Sequence, residues 1–184
     1  MPHFKSLPDN AGPGQVFAKY HDIYGHWAKM GQEMMNGPSI FSPGERELIA
    51  AYTVYCAGTE YAMVAHSAAA YAWGIEEGLL DKLAADPTSD AIDAKWHPIL
   101  AMIKKLTVTP NDVTQADADA VYEAGWDEDA LHHVIAVTAR MNFMIRLIGG
   151  FGFTPMTPEV AKQRAEERVE KGYVGLYPDL EKKG

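Results

Sequence analysis

Apolar side chains recur at intervals of three and four in segment after segment, the period of amphipathic helices. Val16, Tyr20, Ile23, Trp27, Met30 and Met34 predict one stripe along a helix from Gln15 to Met35, stopped by Asn36-Gly37-Pro38. Trp96, Ile99, Leu100, Ile103 and Leu106 mark another. Leu131, Val134, Ile135, Thr138, Met141, Asn142, Ile145 and Ile148 line a longer one, expected from Asp127 to about Gly149. Shorter helices are expected from Gly74 to about Ala84 and after Thr114. Thr157-Pro158-Glu159 opens a last helix, charged on most faces through Lys171, which by this reading buries little. The tail from Gly172 to Pro178 carries two tyrosines that can dock on the core or on a neighbouring subunit.

The stretch from Ser42 to Gly74 is the one on which the chain turns. Ser42-Pro43-Gly44-Glu45 is a capping box with Pro at the first helical position, so a helix should follow to about Ala57. Gly58 can take the left-handed conformation that closes it, and Thr59 is a good N-cap for a second helix from Glu60 to about Trp73. The two form a tight hairpin. The end of the hairpin is echoed 51 residues later: Tyr71-Ala72-Trp73-Gly74-Ile75-Glu76-Glu77-Gly78-Leu79-Leu80 against Tyr122-Glu123-Ala124-Gly125-Trp126-Asp127-Glu128-Asp129-Ala130-Leu131. Two related helical units would explain this, and so would a shared helix-turn-helix grammar.

Polar residues interrupt the hairpin in a pattern. Glu47 lies early in its first helix, and Thr59, Ala62 and His66 share one face of the second. This spacing resembles the core of the alkylhydroperoxidase D and carboxymuconolactone decarboxylase superfamily: Glu, twelve residues on the first Cys of Cys-x-x-Cys, then His four residues after the second. Here Thr59-Glu60-Tyr61-Ala62 stands where the cysteines would be, with Tyr61 resembling the common Cys-x-Tyr-Cys form. Ala139 to Leu147 resembles the Asn-Phe-x-x-Arg signature of peroxidase-related members through Asn142, Phe143 and Arg146, and Ala124 to Glu128 their Gly-plus-acidic turn. The resemblance covers roughly residues 41–152. It implies an all-α, alkylhydroperoxidase D-like helical bundle, one domain over residues 1–184 with a C-terminal helix and tail from 156, assembled as a homo-oligomer, trimer or hexamer.

Composition narrows the partners. A formal charge of −9 and a pI near 5.2 disfavour nucleic acid and anionic membranes, leaving a small-molecule substrate. The lone Cys56 excludes an intrachain disulfide and the cysteine-rich zinc patterns. His21 and His26 lie off the apolar stripe, and His132 and His133 point about 100° apart, so neither pair suits a metal. Residues 1–14 are a Pro- and Gly-rich lead-in without a basic start or an apolar run, and a cytoplasmic protein without metal or cofactor is the expectation.

In the superfamily's peroxidases a thiolate at the start of the second helix attacks peroxide. Thr59 and Ala62 cannot do this. What remains is His66 with Glu47, a set that moves protons rather than electrons. The resemblance makes His66 and Glu47 the candidate catalytic pair, with Tyr61, Thr59 and Asn142 as candidate substrate-binding residues. Asn142 is ambiguous on its own, since a buried amide must find partners or cost about 1–3 kcal/mol, and a packed core can satisfy it as well as a site can. The leading expectation is a cofactor-independent decarboxylase or isomerase working on a small carbonyl, lactone or carboxylate compound. An alkylhydroperoxidase-like antioxidant peroxidase acting through Cys56, and a non-catalytic oligomeric ligand-binding protein, are the alternatives. The decarboxylase branch's Tyr-Ala-Gly-x-Pro segment is absent from the late helix.

Overall fold

A computed structural model describes residues 2–177. Among them are nine α-helices and no strands, as the apolar periodicity predicts. Two of these, α3 (Pro43–Cys56) and α4 (Glu60–Ala72), are the expected hairpin. Ser42 Oγ accepts from the Glu45 N–H while Glu45 accepts from the Ser42 N–H, and Gly58 closes α3 at φ +67°. Thr59 holds the N-cap position of α4, but its side chain makes no capping bond. From Arg46 to Val54 every residue of α3 is buried. A helix apolar on nearly all sides belongs in the interior, and α3 packs there against α4, α5 (Leu79–Ala85), α6 (His97–Val108) and α8 (Glu128–Phe151). The buried Arg46 answers to the preceding helix. Its Nη1 donates to the carbonyls of Met34 and Gly37, satisfying a C-terminus that has no cation of its own.

Three expectations are corrected. The first helix is two, α1 (Pro13–Lys19) and α2 (His21–Asn36), broken at Tyr20, whose φ −119° and ψ 49° are not helical. The break turns the buried face of α2 to Tyr24, Ala28, Gly31 and Met35, so Ile23 and Met30 are left 65% and 48% exposed. On α8 the buried face runs through Val134, Val137, Thr138, Arg140, Met141, Met144 and Ile148. Ile135 therefore points to solvent and Asn142 to the edge of the core. Neighbours on both sides of α8, with α3 and α6 on one and α2 on the other, make this arc wider than the predicted stripe. By length and composition α8 is apolar enough to cross a bilayer, and its buried face packs against α3 and α6.

The third correction concerns α9 (Pro158–Gly175), which lies across α4 and α2 rather than at the periphery. Ala161, Ala165 and Gly172 face inward, and such small residues let the helix backbone approach closely. Its tail docks on the core through Tyr173, while Tyr177 packs against Phe17 at a centroid separation of 5.3 Å. Pro178 and the rest of the tail lie outside the described residues. The repeated segment has a local explanation. Gly74 and Gly125 sit at φ +92° and +91°, and each donates its N–H 2.9 Å to the carbonyl three residues before, Tyr71 and Tyr122. The chain then diverges, with α5 starting after Gly78 and α8 directly after its N-cap Asp127.

Candidate functional site

Glu47 and His66 meet across the hairpin. His66 Nδ1 lies 2.8 Å from Glu47 Oε2, and both side chains are almost wholly buried. The other carboxylate oxygen is taken as well: the Tyr173 hydroxyl donates to Oε1 at 2.6 Å, and Arg168 Nη1 approaches it at 3.5 Å. One carboxylate from α3 thus gathers an imidazole from α4 and a phenol and a guanidinium from α9.

The charge states follow from this geometry. Burial opposes ionisation of Glu47, but the Arg168 charge and the bonds from His66 and Tyr173 outweigh it and hold the carboxyl down at about 2. Burial pushes the His66 imidazolium the other way, below its ordinary value; Glu47 pulls against this, and the charges of Arg168 and Arg140 add to it. At neutral pH the pair is therefore a carboxylate and a neutral imidazole. Glu47 can only accept, so the single imidazole proton is on Nδ1 and Nε2 carries a lone pair. Nothing among the described residues bonds to Nε2.

His66 lines a cavity of about 120 Å³ closed by α4, α8 and α9, with Ala62, Met141 and Met144 among its apolar walls and Tyr61, Arg140 and Arg168 among its polar ones. A much larger groove, about 730 Å³, lies between α4, α5 and α9, lined by Met63, Tyr71, Leu80 and Lys162 among others. Neither Glu47 nor His66 reaches it. Chemistry rather than size makes the smaller cavity the candidate site.

Among the candidates named from the sequence, Tyr61 is at this cavity, its phenol pushed up to about 12 mainly by burial. Thr59 is not, because at the N-cap it lies outside the helical turns that face α8 and α9. Asn142 is also elsewhere. It sits about 100° around α8 from the cavity-lining Met141, donates to Thr107 Oγ1 and the Thr138 carbonyl, and accepts from Arg146. Its amide is a satisfied structural group. Cys56, at the far end of α3, does not line the cavity, and burial pushes its thiol up despite the opposing bond from Tyr52.

Sequence reasoning missed Arg140, Arg168 and Tyr173. A signal existed for two of them: Ala161, Ala165, Arg168 and Gly172 recur at four, three and four on a helix that otherwise looks solvated, and Arg140 falls between Val137 and Met144 on the buried arc of α8. Tyr173 is placed by a backbone device. Gly172 adopts φ 67° and ψ −173°, kinking α9 so that the next side chain turns under the helix, where Gln32 Oε1 accepts from the Tyr173 N–H at 2.6 Å. A Cβ at Gly172 would stand 2.5 Å from that same oxygen. Gly172→Ala should therefore cost about 1–3 kcal/mol in backbone strain and lower the melting temperature by several degrees. Unchanged melting in a thermal unfolding scan would mean that the kink is not required.

No family model matches the chain, and no curated protein matches it. Solved structures do. An alkylhydroperoxidase AhpD core, an uncharacterized peroxidase-related protein from Ralstonia eutropha JMP134, superposes with a TM-score of 0.72 at 20% identity, over 82% of this chain and 78% of that one. An uncharacterized peroxidase-related protein from Silicibacter sp. TM1040 gives 0.64 at 22% identity, over 83% of this chain and 91% of that one. At such identities the likeness is one of fold: the chain has the helical fold of the alkylhydroperoxidase D core.

Proposed function

We propose that this chain is a cofactor-independent proton-transfer enzyme, of decarboxylase or isomerase type, acting on a small carbonyl, lactone or carboxylate compound. The observation that carries the reading is the 2.8 Å bond from His66 Nδ1 to Glu47, which leaves Nε2 as a base at a small cavity. Nε2 takes the proton from a carbon next to a carbonyl, and the C–H electron pair moves into the enolate. Glu47 keeps the other proton on Nδ1 and stabilises the imidazolium as it forms. Return of the proton to a different carbon completes an isomerisation. In a decarboxylation Nε2 first takes the proton of the substrate's carboxylic acid, the carbon–carbon pair becomes the enolate as carbon dioxide leaves, and the imidazolium returns that proton to carbon. Burial of His66 keeps the base unprotonated at neutral pH, which suits it to the first step.

The test is deuterium incorporation, followed by proton NMR, into a panel of 2-oxo acids, 3-oxo acids and lactones in heavy water. Wild-type protein should exchange or turn over at least one of them, and His66→Gln should slow that reaction roughly a hundredfold or more. Undiminished exchange in His66→Gln would remove the proposal. The names of the two structural neighbours favour a second reading, a hydroperoxide reductase. That chemistry needs a thiolate, and here it would fall to Cys56, which is raised by burial and away from the cavity. Peroxide consumption with a dithiol donor that disappears in Cys56→Ser would establish it instead.

A further inference from the structure

Among the described residues Arg140 is a buried cation without an anion. Its residue is 5% exposed, and its guanidinium is held against the rings of Trp27 and Tyr173, at 4.5 and 4.7 Å from their centroids. Among the described residues its one hydrogen bond runs from Nη1 to Met141 Sδ at 3.6 Å, and sulfur is a weak acceptor. Nε is buried with no partner among those residues. Room for the group comes from Gly31, where a Cβ would stand 3.0 Å from Nη2 and 3.1 Å from Nε. Three aromatic or glycine positions on two other helices thus hold a charge that the fold itself does not neutralise.

The nearby carboxylate is already used. Glu47, behind the wall, answers Arg168, His66 and Tyr173, so Arg140, Arg168 and Glu47 with a neutral imidazole leave one net positive charge around the cavity. Arg164 and Glu167, also on the wall, offset each other. Aromatic faces return part of the cost of such a charge, and an anion in the cavity that Arg140 lines would return more. Ala62, Ala65, Met141 and Met144 make part of the wall apolar. They offer no donors to an anion that is oxygen on every side. The cavity, about 120 Å³, is several times what one water molecule needs and holds only a few non-hydrogen atoms.

We infer that this cavity takes a small organic monocarboxylate, its oxygens accepting from the Arg140 guanidinium and its apolar body lying against the alanines and methionines next to His66 Nε2. This deepens the proton-transfer reading and rests on it for the position of the reacting carbon. Arg140 is a binding residue: it fixes the anionic end so that the carbon beside the carbonyl faces the base. A guanidinium suits the planar carboxylate because two N–H groups can meet two oxygens.

The test uses NMR titration of the full, isotopically labelled chain with acetate, pyruvate and crotonate, with acetamide and pyruvamide as neutral counterparts and inorganic phosphate as the other anion. At least one carboxylate should bind roughly tenfold or more tightly than its amide and than phosphate, and Arg140→Gln should remove that preference. Gly31→Ala, which crowds the guanidinium without deleting a charge, should weaken carboxylate binding in the same direction and stands in if Arg140→Gln does not fold. His66→Gln should bind carboxylate within about threefold of wild type while losing deuterium exchange. Equal affinity for amide and carboxylate, phosphate binding as tight as carboxylate, or carboxylate affinity unmoved by both Arg140→Gln and Gly31→Ala overturns the inference. If carboxylates fail to bind but a neutral ketone still exchanges through His66, the inference falls and the proton-transfer reading stands. Selective carboxylate binding without any exchange supports the inference and removes that reading.

Discussion

Replacing Glu47 by Gln should destabilise the protein by about 3–5 kcal/mol, a fall of roughly 10 °C in melting temperature for a chain of this length. The side chain keeps its shape, so the cost is electrical rather than steric. Glu47 is 1% exposed, and with its charge gone Arg168 is left in the interior beside Arg140 with no carboxylate to answer either. The Tyr173 hydroxyl and the His66 Nδ1–H both point at what is now a neutral amide, one end of which donates rather than accepts. A double-mutant cycle separates this from simple loss of packing. Arg168→Met should cost clearly less in the Glu47→Gln background than in wild type, because removing the guanidinium there also removes an unpaired buried charge. Equal costs in the two backgrounds, measured by denaturant unfolding, would show that the pair is not coupled.

The hairpin that carries this cluster was readable because its information is local. Ser42 and Glu45 sit three residues apart, Gly58 falls at the turn between the two helices, and Glu47 and His66 are brought together by the return of one short loop. Arg168 and Tyr173 were not readable in the same way. They lie 121 and 126 residues from Glu47, and the docking of α9 is set by small residues that give no hydrophobic signal. The break at Tyr20 has no Pro or Gly beside it, so nothing in the pattern announced that the face of α2 would rotate away from Ile23 and Met30. An amide on an apolar stripe, such as Asn142, is compatible with a packed core or a site, and in the fold Thr107 Oγ1 and the Thr138 carbonyl accept from it away from the cavity. Arg140 lies one residue before Met141, about 100° around the helix from the predicted stripe, and a charged residue there reads as solvated, although a guanidinium at a buried helical position is the more unusual observation.

Stability should fall on acidification in two stages, and the sign follows from where each proton is bound. His66 holds its proton less tightly when folded than the ordinary 6.5, so below that pH the unfolded chain takes up a proton that the folded chain refuses. Stability is lost from about 6.5 downward. Glu47 is about 2 when folded against an ordinary 4.5, so between these values the unfolded chain again binds more protons. Its contribution is complete above 4.5 and disappears as pH drops toward 2, a difference on the order of 3 kcal/mol. On the alkaline side the buried phenols act in the opposite sense. Tyr52, Tyr61 and Tyr173 are all raised by burial, so the unfolded chain ionises first and stability declines above about 10. Urea unfolding at a series of pH values should therefore give a plateau near neutrality with an acid limb that steepens below 4.5. Carboxylates outside the core such as the half-buried Asp117, which its bonds to Lys105 and Thr114 hold at about 2, add to that limb in every variant. The diagnostic is the difference between wild type and Glu47→Gln, since only the buried carboxylate has been removed. The two curves should lie far apart at pH 6 and converge as pH falls from 4.5. Curves that stay parallel across that interval would mean that Glu47 is not held as an anion between Arg168, His66 and Tyr173.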